Sequence, residues 1–275
     1  MFLSILYAIL VLGIMGLLFG VVLAFASKIF EVKVDERIPQ IVDLLPGANC
    51  GGCGYTGCVA FATSVVEGKA KVNGCIVGGD KTAEKIGEIV GKEAEDIIEM
   101  NAVVHCCGNN EAAVKKYKYE GIEDCNAAMR LSGGDKACKY SCLGLGTCVK
   151  ACKFDAITIE NGVAKIDKEK CTACGVCVAS CPKHLIELIP YESKIMIGCS
   201  SKDKGPVVRK NCSVGCIACK MCERACQFDA IHVIDNLAVI DYSKCTGCGA
   251  CVEKCPTKII RNNGNEKVVE VVQTA

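Results

Sequence analysis

Two stretches of the chain repeat one cysteine pattern, C-x2-C-x2-C-x3-C followed by proline. The first runs from Cys171 to Pro182 and the second from Cys245 to Pro256. Thiolates at this spacing hold [4Fe–4S] clusters, because closely spaced sulfur atoms can converge on one group of iron atoms. Neighbouring cysteines of such a run cannot all reach distant thiols at disulfide geometry. The pattern therefore predicts iron–sulfur centres that exchange electrons.

The two stretches belong to a longer internal repeat with an offset of 74 residues. Cys152 corresponds to Cys226, and residues 154–157 correspond to residues 228–231. A repeat of this length is a whole small module rather than a short solenoid unit. An earlier cysteine run opens each copy. Its members are Cys138, Cys142, Cys148 and Cys152 in the first copy and Cys212, Cys216, Cys219, Cys222 and Cys226 in the second.

Each copy also contains a predicted β-hairpin between its two cysteine runs. β-Branched residues flank an Asn-Gly turn at residues 161–162 and an Asp-Asn turn at residues 235–236. Domains this short fold poorly without a bound metal. We therefore predict two tandem modules with two clusters each, at residues 138–190 and 212–262, joined by a connector at residues 191–211.

The pairing of ligands follows from the two-cluster pattern. In bacterial ferredoxins with two clusters, the fourth cysteine of each run binds the cluster of the other run. The first module lacks one thiol, since Leu145 stands where the second module has Cys219, and Cys138 is the expected substitute. The predicted ligand sets are Cys138, Cys142, Cys148 and Cys181; Cys152, Cys171, Cys174 and Cys177; Cys216, Cys219, Cys222 and Cys255; and Cys226, Cys245, Cys248 and Cys251.

Four further cysteines precede the modules, at the spacing C-x2-C-x4-C-x16-C. Glycines between the first three let the backbone turn tightly and bring its N–H groups to a cluster. A helix after Cys58, capped by Gly68, would return the chain to the fourth cysteine. A zinc site is the alternative, although its usual form pairs two C-x2-C knuckles. We predict one cluster in a domain at residues 28–100, followed by a connecting segment at residues 101–137. The predicted ligands of this cluster are Cys50, Cys53, Cys58 and Cys75.

Five cysteines remain after these five predicted clusters: Cys106, Cys107, Cys125, Cys199 and Cys212. Cys125 and Cys199 hold equivalent places in the repeat, which indicates a local structural role carried out twice. Buried free thiols are the expected state of the five. A sixth cluster is the alternative.

The N-terminus is one apolar run, residues 2–26, with no charge before Lys28. It is long enough to span the hydrocarbon core of a membrane as a helix and to contact lipid. A cleaved signal peptide is the alternative, but no Lys or Arg precedes the run and it exceeds a normal signal core. Lys28, Lys33 and Arg37 follow it, so the positive-inside tendency puts the remainder in the cytoplasm. We predict a single-pass anchor at residues 1–27.

Composition fits this interpretation. The chain has 275 residues, 25 of them cysteine, with a formal net charge of +1. The balanced charge gives no indication of a nucleic-acid partner. An odd cysteine total in tight runs favours a metal protein in a reducing compartment over a disulfide scaffold. Residues 263–275 are polar and predict a flexible tail.

No catalytic residues are predicted. Clusters held by four thiolates have no open coordination position, so they transfer electrons and bind no substrate. The sequence also contains no catalytic triad, P-loop or GxGxxG fingerprint. The predicted fold class is α+β: one transmembrane helix, a small [4Fe–4S] domain and two ferredoxin-like modules.

The order of anchor, CGGCGYTGC motif with Cys75, and ferredoxin modules resembles the B-subunit family of Rnf complexes. These complexes are ion-translocating ferredoxin:NAD+ oxidoreductases of bacterial cytoplasmic membranes, and two modules resemble the longer form of this family. The resemblance implies that electrons from soluble reduced ferredoxin enter here. It also implies that partner membrane and peripheral subunits carry the flavins, the NAD site and the path for Na+ or H+.

Two other interpretations stay open at this point. The first-domain motif also resembles part of corrinoid iron–sulfur proteins, so the chain could serve another membrane reductase or a corrinoid-protein activation system. A zinc-stabilised interaction protein without redox activity is the second, and the C-x2-C-x2-C runs disfavour it.

Overall fold

A computed structural model describes residues 2–29, 35–94 and 98–263. Helix α1 (Phe2–Ile29) begins the chain. Its segment Ile5–Lys28 has a mean hydropathy of 2.8, and its most apolar window buries nothing against the rest of the protein. It is the one helix in the described ranges that is long and apolar enough to cross a membrane. Residues 264–275, where a flexible tail is predicted, lie outside the described residues.

The first domain is a small helical unit with an apolar core. Phe61, Val65, Ile41 and Ile86 are at most 1% exposed and pack together. The helix predicted after Cys58 is confirmed, and a left-handed Gly68 (φ 74°) follows it. A short 3-10 turn at Ile76–Gly78 leads into the last helix. The helices are α2 (Arg37–Leu44), α3 (Cys58–Val66) and α4 (Gly79–Val90).

The two modules repeat the same elements at the offset of 74 residues, which confirms the duplication. The first copy and the segment before it contain β1 (Met100–Val104), α5 (Cys125–Arg130), α6 (Thr147–Ala151), β2 (Ile157–Glu160), β3 (Val163–Ile166), α7 (Val176–Ser180) and β4 (Ile186–Pro190). The second copy and the segment before it contain β5 (Ile195–Ile197), α8 (Gly205–Asn211), α9 (Met221–Ala225), β6 (Ile231–Ile234), β7 (Leu237–Ile240), α10 (Ala250–Lys254) and β8 (Ile260–Asn262).

Both predicted hairpins form. β2 pairs antiparallel with β3, and β6 with β7. Asn161 and Gly162 both take positive φ, at 46° and 76°, as the tight turn between right-twisted strands requires. Asp235 and Asn236 do the same at 49° and 63°.

The two segments predicted as connectors each contribute a strand. β1 pairs antiparallel with β4, from Met100 opposite Pro190 to Val104 opposite Ile186. β5 pairs with β8 in the same sense. Each module is therefore flanked by a second two-stranded sheet whose outer strand comes from the preceding segment.

The cores of the modules are small and built largely around cysteine. In the first module Ile157, Leu185 and Ile186 pack with Cys148 and Cys177. The corresponding residues of the second module pack in the same way with Cys222 and Cys251. Such cores bury little apolar surface, and a bound metal supplies the missing free energy of folding in domains of this size.

His105 joins the two modules. Its Nδ1 lies 2.6 Å from the carbonyl oxygen of Ile197 in β5, and its Nε2 lies 3.0 Å from the carboxylate of Glu187 in β4. The hydroxyl of Ser200 donates to the His105 carbonyl at 2.9 Å. The hydrogen bond from His105 lowers the pKa of Glu187. These contacts hold β4 and β5 beside each other.

Candidate iron–sulfur centres

The structure brings the four first-domain cysteines together. Cys58 begins α3, and its backbone N–H donates to Oδ1 of Asn49 at 2.8 Å, which closes the loop carrying Cys50 and Cys53. Cys75 lies after the return of the chain, at the start of the 3-10 turn. Burial raises the pKa of the Cys75 thiol, and the three nearby cysteines raise it further. The predicted ligands therefore face one another.

In the second module, the four cysteines of one predicted set line one cavity. Two come from the loop before α10, Cys251 lies within α10, and Cys226 comes from the other run, at the end of α9. The backbone N–H of Ala230 donates to the sulfur of Cys226 at 3.4 Å. Burial raises the pKa of the Cys251 thiol to about 11. The set is Cys226, Cys245, Cys248 and Cys251.

The other set of the second module is arranged in the same crossed manner. Burial raises the pKa of the Cys222 thiol to about 11, and Cys216, Cys255 and Cys219 lie near enough to contribute. Cys255 comes from the later run, at the end of α10. Its sulfur lies 3.7 Å from the hydroxyl of Thr257.

In the first module, Cys152 crosses to the later run as predicted. Burial raises the pKa of the Cys177 thiol to about 11, and Cys171, Cys174 and Cys152 raise it further. The backbone N–H of Ala102 in β1 donates to the sulfur of Cys171 at 3.4 Å. Strand β1 therefore contributes to this site from outside the repeat.

The remaining site of the first module differs from the prediction. Burial raises the pKa of the Cys148 thiol to about 12, and the neighbouring sulfurs that contribute belong to Cys142, Cys125 and Cys181. Cys138 instead lines a separate cavity. Burial raises the pKa of its thiol, and its cysteine neighbours are Cys106 and Cys212. The structure therefore places Cys125, rather than the predicted Cys138, beside Cys142, Cys148 and Cys181.

A small network of polar contacts puts Cys125 there. Asp124 caps α5, accepting from the Ala127 N–H at 3.0 Å. The hydroxyl of Thr147 donates to the other carboxylate oxygen of Asp124 at 2.8 Å and accepts from the Cys125 N–H at 2.7 Å. Since Thr147 begins α6, this network fixes Cys125 beside Cys148.

The loop around Leu145 keeps its shape although it lacks the thiol. Gly144 and Gly146 take positive φ, at 69° and 77°, as the residues on both sides of Cys219 also do. Leu145 packs against Cys125, Ala128 and Leu143. An apolar side chain thus fills the usual ligand position, and the thiol nearest to it along this face is that of Cys125 in α5. The equivalence of Cys125 and Cys199 in the repeat does not extend to their surroundings, because Cys199 lines the cavity with Cys138.

The first domain lies directly against the first module. Gly52, between Cys50 and Cys53, packs on the backbone of Cys174. The ammonium group of Lys153 donates to the carbonyl oxygen of Asn49 at 2.8 Å and to that of Ala48 at 3.4 Å. Lys153 stands where a proline is usual after the crossing cysteine. Its side chain instead ties two candidate centres together.

Family models match three parts of the chain. A model for an Fe–S cluster domain matches residues 45–77, which contain the four first-domain cysteines. A model for a 4Fe-4S binding domain matches residues 164–187 and 238–261, and a second such model matches residues 215–229. Each of these segments contains one of the cysteine runs. The matched segments of the modules are therefore [4Fe–4S]-binding, and that of the first domain is Fe–S-binding.

Three relatives match nearly the whole chain, and each is the B subunit of its complex. The one from the Na+-translocating ferredoxin:NAD+ oxidoreductase complex of Acetobacterium woodii is 48% identical over 91% of this chain and 75% of its own. The one from the proton-translocating ferredoxin:NAD+ oxidoreductase complex of Clostridium ljungdahlii is 46% identical over 91% of this chain and 90% of its own. The one from the ion-translocating oxidoreductase complex of Methanosarcina acetivorans is 44% identical over 91% of this chain and 95% of its own. The chain belongs to the Rnf B-subunit family.

Membership of the Rnf B-subunit family confirms the resemblance drawn from the motifs. The chain is an iron–sulfur electron-transfer subunit of a multi-subunit, membrane-associated oxidoreductase complex. One relative is named for Na+ and another for protons. The family therefore spans both coupling ions, and this subunit by itself does not identify one.

The donor sets fit multi-iron clusters. All 25 cysteines are free of disulfide bonds, so their sulfurs are available as ligands. Within the described residues, no group of three or more Cys, His, Asp or Glu side chains is close enough to hold a single metal ion. Zinc would need its four sulfurs within bonds of about 2.3 Å. A cluster of four irons takes ligands that stand further apart, and the N–H groups aimed at Cys171, Cys181 and Cys226 suit its sulfurs.

Proposed function

We propose that this chain conducts electrons from reduced soluble ferredoxin to partner Rnf subunits, which reduce NAD+ and couple the reaction to translocation of Na+ or H+. The observation that carries the proposal is the contact of Gly52 with Cys174. It sets a centre of the first domain against a centre of the first module. Two redox sites from different domains would gain nothing from such close packing unless electrons pass between them.

Five [4Fe–4S] clusters are assigned to the sites described above. Each supplies one-electron exchange when bound, and four thiolates leave no iron open to a substrate. Four of the ligand sets are those predicted from the sequence, and the fifth takes Cys125 in place of Cys138. The sets are Cys50, Cys53, Cys58 and Cys75; Cys152, Cys171, Cys174 and Cys177; Cys125, Cys142, Cys148 and Cys181; Cys216, Cys219, Cys222 and Cys255; and Cys226, Cys245, Cys248 and Cys251.

The side chains of this protein hold and tune the centres and perform no substrate chemistry. Backbone N–H groups that donate to cysteine sulfurs stabilise added negative charge, which raises a cluster's reduction potential. Leu185 and Ala230 do this for Cys181 and Cys226, at 3.5 and 3.4 Å. NAD+ reduction and ion movement belong to the partner subunits.

The chain is attached to the bacterial cytoplasmic membrane by α1 in a single pass, with the cluster domains in the cytoplasm. The exposed apolar surface of the helix supports this arrangement. Lys28 in its last turn and Arg37 beyond it support the orientation. Protease added to inverted vesicles should digest the cluster domains, and protease added to right-side-out vesicles should not. The opposite pattern would reverse the assigned orientation.

The central test is Cys53→Ala in the intact complex. The variant should stay membrane-bound and lose about four irons per chain, one cluster's content, and NAD+ reduction driven by reduced ferredoxin in inverted vesicles should cease. Lys85→Ala is the matched control, since Lys85 is an exposed residue of α4 in the same domain, and its activity should be unchanged. Undiminished electron flow in Cys53→Ala would remove the first-domain centre from the path.

A further inference from the structure

Four of the cysteines that the five clusters do not use line one cavity. It lies between the modules, and Cys106, Cys138, Cys199 and Cys212 are among its lining residues. Cys106 follows β1, Cys138 precedes the first cluster loop, Cys199 follows β5, and Cys212 ends α8. These positions come from both copies of the repeat and from the segments before them. No continuous motif marks the set.

Gly108 shows how close two of these sulfurs are. A Cβ atom on Gly108 would lie 3.3 Å from the sulfur of Cys212 and 3.8 Å from that of Cys106. Both thiols thus face one small volume, which the absence of a side chain on Gly108 leaves open. Cys106 and Cys212 are each 9% exposed.

The backbone holds the four segments in register. The N–H of Cys107 donates to the Gly198 carbonyl at 2.9 Å, which places the segment after β1, with Cys106, beside the segment after β5, with Cys199. An antiparallel bridge pairs Ala113 with Cys212. The backbone segments that carry these cysteines are therefore hydrogen-bonded to their neighbours where the two modules meet.

Backbone N–H groups already point at these sulfurs. The Cys142 N–H donates to the sulfur of Cys106 at 3.3 Å. The N–H groups of Ser201 and Cys216 both donate to the sulfur of Cys199, at 3.4 Å each. Donation of this kind to cysteine sulfur is typical of thiolates that bind iron–sulfur clusters.

A buried cation borders the same place. The Lys136 side chain is 2% exposed, and its ammonium donates to the carbonyl oxygens of Gly108 and Gly162 at 2.8 and 2.9 Å. Among the described residues, no carboxylate forms an ion pair with it. A charge taken out of water costs several kcal/mol unless an opposite charge compensates it. A cluster held by four thiolates is anionic and would provide that compensation.

We propose that Cys106, Cys138, Cys199 and Cys212 bind a sixth [4Fe–4S] cluster between the two modules. Each thiol releases its proton as its sulfur bonds one iron. The ligands adjoin a centre on either side, because Cys142 and Cys216, which contact them, belong to clusters of the first and second module. The proposed cluster would therefore connect the clusters of the first module with those of the second in one continuous row. Its place in an electron path rests on the proposed function, whereas its presence does not.

The test is anaerobic iron and acid-labile sulfide per chain on the full-length protein purified in detergent. Six clusters of four irons give about 24 iron atoms, and five give about 20. We expect the higher value, and a loss of about four irons in Cys106→Ala. Cys107→Ala is the matched control, since Cys107 is the adjacent thiol and does not line the cavity. It should keep the full iron content.

The variants also separate this proposal from the assigned function. If the wild-type protein contains about 20 iron atoms per chain and Cys106→Ala contains the same number, the sixth site is overturned and the proposed function is not. If the protein contains zinc in place of iron, the electron-transfer proposal is overturned. If Cys106→Ala misfolds and loses more than four irons, the number of iron atoms per wild-type chain still distinguishes five clusters from six. EPR of the reduced protein gives a second readout: removing a bridging cluster should sharpen signals broadened by coupling between modules, and unaltered spectra would count against the bridge.

Discussion

Gly52 in the first domain lies directly against the backbone of Cys174 in the first module. A Cβ atom on Gly52 would collide with the carbonyl oxygen of Cys174 and come within 3.0 Å of its Cβ. Because a backbone oxygen cannot turn away as a flexible side chain can, glycine is the residue that permits this approach. The contact lies between two candidate centres, so it determines how closely they are coupled.

Gly52→Ala should therefore push the first domain away from the module. We expect all clusters to be retained, with an overpacking cost of about 1–3 kcal/mol at the interface. EPR broadening from coupling between these two centres should decrease, and ferredoxin-driven NAD+ reduction should slow. Lys153→Ala, which removes the tie to Asn49 without a clash, should give a smaller effect in the same direction. Wild-type spectra and rates in both variants would show that the contact has no role in transfer.

Cys125 is expected to be essential to one cluster of the first module. Cys125→Ala should lose about four irons per chain, since no other thiol lies beside Cys148, Cys142 and Cys181 in its place. Restoring a thiol at the usual position should then rescue the site. Because the loop around Leu145 keeps the geometry found at Cys219, the double variant Cys125→Ala with Leu145→Cys should recover the lost iron.

Specificity of the rescue is the control. Leu145→Cys should not restore iron to Cys138→Ala, because Cys138 lines the separate cavity. If Leu145→Cys rescues Cys138→Ala and fails to rescue Cys125→Ala, the assignment from the sequence was right and the one from the structure is wrong.

These residues show how far the sequence could predict the site. The repeat predicted the paired elements, because equivalent residues in tandem copies adopt the same local structure, and the two-cluster pattern predicted the crossing of Cys152 and Cys226. It could not predict that Cys125 replaces the thiol missing at Leu145. Cys138 is nearer along the chain, and it is tertiary contacts, among them those of Asp124 and Cys125 with Thr147, that bring α5 to the cluster loop. The cavity with Cys106 could not be predicted for the same reason, since it depends on backbone contacts between segments that lie far apart in the chain.

The first domain should be the least dependent on metal for its fold. Its core contains Phe61, 1% exposed and 5.8 Å from the Tyr55 ring in an edge-on contact, whereas the module cores are built around cysteines. Phe61→Ala should lower the free energy of unfolding of this domain by about 3–5 kcal/mol. Iron removal should abolish the cooperative unfolding of the modules and leave part of the helical circular dichroism. Full loss of helix outside the anchor on iron removal would contradict this division.

Lys136 is expected to raise the reduction potential of the centres next to it. Its buried ammonium lowers the free energy of adding an electron nearby, and Lys136→Met removes the charge while keeping much of the volume. At an effective dielectric constant of about 20 the lost attraction is on the order of 1 kcal/mol, a few tens of millivolts for one electron. EPR-monitored redox titration should show at least one potential shifted to a more negative value.

Lys115→Met is the matched control, because Lys115 is paired with Lys136 across a backbone bridge but is half exposed and bound to Asp135. Because solvent screens the charge of Lys115, the cluster potentials of Lys115→Met should stay near those of the wild type. Equal shifts in the two variants would mean that net charge, rather than the buried position of Lys136, sets the potential.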